Sequence, residues 1–152
     1  MKEAKEFSLL DQDGNTQSLA DYQGKWLVLY FYPKDDTPGC TAEACNFRDT
    51  RADIEKLASV VGISKDSVAS HKKFSEKYQL NFTLLSDPDH AVIEAYNSWA
   101  PKKFMGKEYM GTSRNTFIIN PESMIVKEYI GVDPKEHAAQ IIADLKALQA
   151  ES

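Results

Sequence analysis

Phe31-Tyr32-Pro33-Lys34-Asp35-Asp36-Thr37-Pro38-Gly39-Cys40-Thr41-Ala42-Glu43-Ala44-Cys45 is the stretch on which the fold turns. Before it runs Trp26-Leu27-Val28-Leu29-Tyr30-Phe31-Tyr32, short, apolar and rich in aromatics, which predicts a buried central strand. After it comes a polar loop holding Pro33, Pro38 and Gly39. Thr41-Ala42-Glu43-Ala44 then predicts a helix opening at Thr41, with an acid in its first turn. Cys40 is therefore expected where a strand–loop unit hands over to a helix N-terminus. Unpaired backbone N–H groups and a partial positive charge at such a terminus favour a thiolate over a thiol.

Cys45 lies five residues on. On a continuous helix the two Cα atoms are about 8.6 Å apart and about 140° apart around the axis. A disulfide needs Cα atoms within about 7 Å. The pair can close only if the first turns of that helix unwind, which suits a redox cycle rather than a static crosslink. The plain alternative is that both cysteines are small buried hydrophobes, and their number alone does not choose between the two.

A chain of 152 residues is read as one domain, residues 1–152, large enough for a real core. Hydrophobic residues make up 42% and charged residues 27%, which points away from a disordered chain. No apolar run approaches the roughly 20 residues that span a bilayer, so no membrane association is expected. Met1-Lys2-Glu3-Ala4-Lys5-Glu6 is charged and lacks an apolar leader core, which predicts a cytoplasmic protein with its thiols kept reduced at rest. Net charge is −5, and the 18 Lys and Arg form no block, which argues against a nucleic-acid surface.

Phe7-Ser8-Leu9-Leu10, the turn Asp11-Gln12-Asp13-Gly14-Asn15 and Thr16-Gln17-Ser18-Leu19 predict an N-terminal β-hairpin. A calcium loop from Asp11 is disfavoured, because Tyr22 stands where its closing glutamate belongs. Helical spacing runs from Thr41 to about Ala58, followed by a strand over 59–64. A helix from Asp66-Ser67 to Gln79, a strand over 82–86 and a short helix over 91–96 follow. Residues 97–113 read as an irregular loop. Arg114–Ile119 and Met124–Ile130 are predicted strands, and Asp133-Pro134 is expected to cap a last helix. Alternating β and α units imply parallel pairs, and the closing strands add antiparallel ones. The fold class is α/β: a thioredoxin-like mixed central sheet flanked by helices.

His71, His90 and His137 lie far apart in sequence and none adjoins a cysteine, so they are expected as surface residues on helices. No metal site and no cofactor are expected. Arg114 has two readings: an arginine solvated at a strand end, or a guanidinium that reaches the sheet edge where Cys40 sits.

Several motifs together resemble the peroxiredoxins, and more narrowly the bacterioferritin comigratory protein (peroxiredoxin Q) branch. They are Phe31-Tyr32-Pro33-x-x-x-Thr37-Pro38-Gly39-Cys40-Thr41-x-Glu43-x-Cys45-x-Phe47-Arg48-Asp49, Val61-Gly62-Ile63-Ser64 with Asp66-Ser67, Phe82–Asp87, and Arg114-x-Thr116-Phe117-Ile118-Ile119. The resemblance spans nearly the whole chain. One departure is a short lead, Leu57–Val60, into the second strand. By resemblance, Cys40 is the peroxidatic and Cys45 the resolving cysteine. Thr37 supplies a hydroxyl to thiolate and peroxide, Pro33 shields the pocket, and Arg114 stabilises the thiolate. The resemblance implies peroxide substrates and recycling by thioredoxin or a similar thiol reductant, and a monomer is expected. The rival readings are a thioredoxin-like disulfide oxidoreductase, which would want Cys-x-x-Cys, and a non-catalytic holdase or binding protein.

Overall fold

The computed structural model describes residues 2–135 and 137–151. Its framework is an eight-stranded mixed sheet: β1 (Lys2–Glu3), β2 (Ser8–Asp11), β3 (Thr16–Ser18), β4 (Leu27–Phe31), β5 (Ser59–Ser64), β6 (Thr83–Ser86), β9 (Thr116–Ile119) and β10 (Met124–Tyr129). In space the order is β1-β10-β9-β4-β5-β6-β2-β3. β4 pairs in parallel with β5, and β5 with β6; β9 pairs antiparallel with β4. The helices are α1 (Pro38–Glu55), α2 (Val68–Tyr78), α3 (Ala91–Ala95) and α4 (His137–Ala150).

β4 is buried at every residue, as its apolar run predicts. Alternation splits its side chains between two cores. Val28 and Tyr30, with Tyr32 beyond the strand end, join Cys40, Ala44, Phe47 and Ile54 of α1, Phe74 of α2, and Ala138, Ile141 and Leu145 of α4. Leu27, Leu29 and Phe31 face the opposite layer, with Phe7, Val92, Ile93 and Tyr96. Helices therefore cover both faces. The N-terminal hairpin pairs as expected, Leu9 opposite Gln17. Asp11 closes its turn by accepting from the amides of Asp13 and Asn15.

The structure corrects five expectations. Helix α1 begins at Pro38, not Thr41: Thr37 is the N-cap residue, and Pro38 holds the first position, where its missing N–H costs nothing. Residues 97–113 are no irregular loop. They form a hairpin of β7 (Trp99–Phe104) and β8 (Lys107–Thr112), closed at Met105-Gly106 with both φ positive. Arg114 does not open a strand but lies two residues before β9. His71 and His137 are buried rather than surface residues. Asp133-Pro134 forms a turn in which Asp133 accepts from the Lys135 amide, and α4 is described only from His137, because Glu136 lies outside the described residues.

Gly62 on β5 lies opposite Tyr30, and a Cβ there would stand 2.8 Å from Tyr30 Cζ. Tyr30 is fully enclosed and stacks on Phe47 with ring centroids 4.8 Å apart, so it has little room to move. Gly62→Ala is expected to cost about 1–3 kcal/mol by overpacking. Urea denaturation would read this as a lowered midpoint at constant slope; an unchanged midpoint would show that Tyr30 yields freely.

Candidate active site

The site is built where the C-terminal end of β4 meets the first turn of α1. The chain leaves β4, bends at half-buried Pro33, and reaches Thr37, whose extended backbone (φ −106°, ψ 155°) starts the helix. The Thr37 hydroxyl donates to Lys34 O at 2.8 Å instead of capping the helix. The first intrahelical bond runs from Thr41 N–H to Thr37 O at 2.8 Å, so the amides of Gly39 and Cys40 precede the ladder. Cys40 is the third residue of the helix, 2% exposed, with its sulfur inside the positive end of the helix dipole.

Arg114 Nη1 donates to Cys40 Sγ at 3.5 Å and to Glu43 Oε1 at 3.1 Å. Two acceptors on one helix thus share one guanidinium nitrogen from a residue some seventy positions away. The arginine backbone is fixed on both sides: Val132 N–H donates to Arg114 O at 2.9 Å, and Phe31 N–H donates to Asn115 O at 2.8 Å. Gly39 leaves the space the guanidinium occupies, since a Cβ there would lie 3.0 Å from Arg114 Nη2. Burial opposes the Arg114 charge, but the negative partners Cys40 and Glu43 outweigh it and hold its pKa above the ordinary arginine value.

Cys45 is also on α1, half-buried, and both thiols are free. A continuous helix runs through both cysteines, so the separation of about 8.6 Å holds in this dithiol form. The structure brings Cys40 and Arg114 together. It leaves Cys45 out of bonding reach, places Thr37 at the helix cap, and puts Pro33 at the bend after β4.

Sequence reasoning missed three neighbours. Glu43 was visible only as an acid near a helix start; its side chain is 1% exposed and ion-paired to Arg114. Tyr30 was read as core, yet its hydroxyl has no hydrogen-bond partner among the described residues and feels the charges of Glu43 and Cys40. Lys102 of β7 has its pKa lowered chiefly by burial and next by Arg114, with Cys40 partly offsetting both. It comes from the hairpin that periodicity did not reveal.

The sequence profile described as the AhpC/TSA family matches residues 1–128. The chain belongs to the AhpC/TSA family, in its Bcp/peroxiredoxin Q branch. It is 47% identical to peroxiredoxin Bcp of Bacillus subtilis over 146 residues, 95% of this chain and 93% of that one. Peroxiredoxin Bcp of Escherichia coli K12 is 43% identical over 144 residues, 94% and 92% of the two chains. A structure of Xanthomonas campestris bacterioferritin comigratory protein, from work on its alkyl peroxide reduction, superposes with a TM-score of 0.88 at 39% identity, covering 93% of this chain and 90% of that one. A cysteine mutant of Xylella fastidiosa PrxQ superposes with a TM-score of 0.90 at 33% identity, covering 98% of each chain. This family membership agrees with the fold.

Burial raises the Glu43 pKa from 4.5 to about 7, with Arg114 pulling the other way. Between those two values the folded chain keeps a proton that the unfolded chain releases. The folded state therefore loses stability as pH rises through this window, by an amount of order 3 kcal/mol in full. Glu43→Gln removes that titration. Urea denaturation of parent and variant from about pH 5 to about pH 8 should show the variant gaining stability relative to the parent as pH rises. A difference that does not change with pH would contradict the raised pKa.

Proposed function

We propose that this peroxiredoxin reduces hydrogen peroxide and organic hydroperoxides with Cys40 as the attacking thiolate and Cys45 as the resolving thiol. The observation that carries the reading is the Arg114 guanidinium set on the sulfur of a cysteine in the first turn of a helix. Both groups favour the anion, and a thiolate is the nucleophile.

The Cys40 thiolate attacks one peroxide oxygen, the O–O bond breaks, and Cys40 becomes a sulfenic acid. The departing hydroxide or alkoxide takes up a proton and leaves as water or alcohol. Arg114 and the helix-start amides are placed to hold the charge that develops on the departing oxygen. We assign Thr37 to the peroxide through its hydroxyl oxygen and Pro33 to closing off the pocket. The Cys45 thiol then condenses with the sulfenic acid, releasing water and forming the disulfide. A thioredoxin-type dithiol reopens it by exchange. Support for organic hydroperoxides comes from the X. campestris relative, whose alkyl peroxide reduction is the subject of its structure. We take the monomer as the working unit. The compartment we propose is the reducing cytoplasm.

The mass of reduced protein after one equivalent of hydrogen peroxide tests the assignment. Parent protein should lose two hydrogens, Cys45→Ser should gain one oxygen, and Cys40→Ser should not change. An unchanged parent mass would remove the peroxidase reading, and equal loss of reaction in both variants would remove the division of roles.

Oxidation must also cost helix, because the disulfide is shorter than the helical separation of the two cysteines. Amide hydrogen exchange on both redox forms should show residues 41–47 exchanging faster in the disulfide form, with β4 still protected. Identical protection in a verified Cys40–Cys45 disulfide would contradict the unwinding step.

A further inference from the structure

The segment that carries Pro33 and Thr37 is held by groups outside the catalytic cluster. Asp35 and Asp36 follow β4 and grip α2 at two places. Asp35 is buried; its Oδ1 accepts from Tyr32 Oη at 2.6 Å and its Oδ2 from Ser70 Oγ at 2.8 Å. His71 Nδ1 lies 2.7 Å from the same Oδ2, and His71 Nε2 lies 2.9 Å from Leu85 O. The Asp35 amide donates to Asp66 Oδ2 at 2.8 Å, which also accepts from Ser64 Oγ at 2.7 Å. Asp36 stands in the left-handed region at φ 56°, its carboxylate accepting from Lys77 Nζ and Tyr78 Oη at 2.7 Å each. Ser70-His71 and Lys77-Tyr78 are about two helical turns apart. The two aspartates thus fix both the place and the direction of the segment on α2.

The two grips differ in strength. Lys77 and Asp36 are solvent-exposed, where an ion pair is worth little. His71 is fully enclosed and Asp35 nearly so, and buried polar groups left without a partner are costly. The segment they hold belongs to no strand ladder, so its position depends on these side chains.

We propose that His71 is a positioning residue for peroxide reduction: through Asp35 it fixes residues 33–37, and with them Pro33 and Thr37, against the first turn of α1. The proposal rests on the peroxidase reading of Cys40. Without His71, Asp35 lacks one of its two enclosed partners, the segment relaxes, and the peroxide is no longer aimed at the sulfur. Arg114 is held by β9 and its neighbours, so the reactivity of the thiolate itself is untouched.

His71→Leu, which fills much of the same space, tests this by comparing two reactions of Cys40. The single-turnover rate with hydrogen peroxide should fall about tenfold, as expected when a positioned reactant is misplaced. Alkylation by iodoacetamide, which needs the thiolate and access to it but not an aligned peroxide, should stay within about twofold, read in the Cys45→Ser background. In a Thr37→Val background, His71→Leu should slow the peroxide reaction no further, because both act through one segment. An unchanged peroxide rate, equal loss in both reactions, or additive losses would each overturn the proposal. If His71→Leu fails to fold, Asp35→Asn, which keeps the volume, carries the same comparison. A parent protein that consumes no peroxide would instead sink the peroxidase reading, a result these variants cannot mimic.

Discussion

One guanidinium nitrogen serves two acceptors, the Cys40 sulfur and the Glu43 carboxylate, at a site nearly closed to water. Much of the architecture exists to make that contact possible. β9 must pair with β4 so that the chain before it reaches the helix start. Phe31 and Val132 must tie down the Arg114–Asn115 backbone. α1 must begin early enough that Cys40 and Glu43 fall three residues apart, on one side of the helix. Burial outweighs the attraction between Arg114 and Glu43, so the arginine is placed by its backbone ties rather than by the ion pair.

The arrangement is not built for stability. Glu43 Oε2, Tyr30 Oη and Thr116 Oγ1 are buried without partners among the described residues. Tyr30 and Thr116 are register partners on β4 and β9, so their side chains share the face on which α1 packs. A buried ion pair with spare acceptors is weak evidence for stability and often worse than an apolar replacement. Such departures from full satisfaction concentrate at functional sites. The two apolar layers, with β4 buried on both sides, supply the compensation.

What was legible in the sequence was what rests on local signals. The apolar run of β4, the Ser67 cap (whose hydroxyl accepts from the Ser70 amide) and the 59–64 strand stand where the residues put them. The cysteine at a strand-to-helix junction was legible for the same reason. The β7–β8 hairpin was not, because its strands carry Pro101, three lysines and exposed aromatics on an edge-like ribbon, with no clean alternation. The start of α1 was missed because Pro38-Gly39 read as a breaker, whereas proline at the first helical position is favourable. The buried histidines and Glu43 were invisible for a deeper reason. The partners of His71 and Glu43 are the Asp35 carboxylate, the Leu85 carbonyl and the Arg114 guanidinium, 14 to 71 residues away. No periodicity encodes a pairing of that kind.

The same contacts bound the movement that joins the cysteines. At the N-terminal end little resists it: Thr37 makes no side-chain cap, and Pro38 has no N–H to lose. Further along, Asn46 Oδ1 accepts from the Ala138 amide at 3.1 Å, tying α1 to the start of α4. Phe47 is enclosed against Tyr30. Arg48 Nη1 donates to Tyr78 O at 2.7 Å, tying α1 to α2. Unwinding that stops before these anchors frees both cysteines while Phe47 stays packed in the core. Unwinding also withdraws Cys40 from the shared guanidinium, and Glu43, which lies between the two cysteines, moves with it. On the mechanism proposed, the helix start has two mutually exclusive tasks, holding a thiolate and releasing a sulfenic acid. It can alternate between them cheaply because the first turn is weakly capped and the ties to other elements at Asn46, Phe47 and Arg48 begin only in the third.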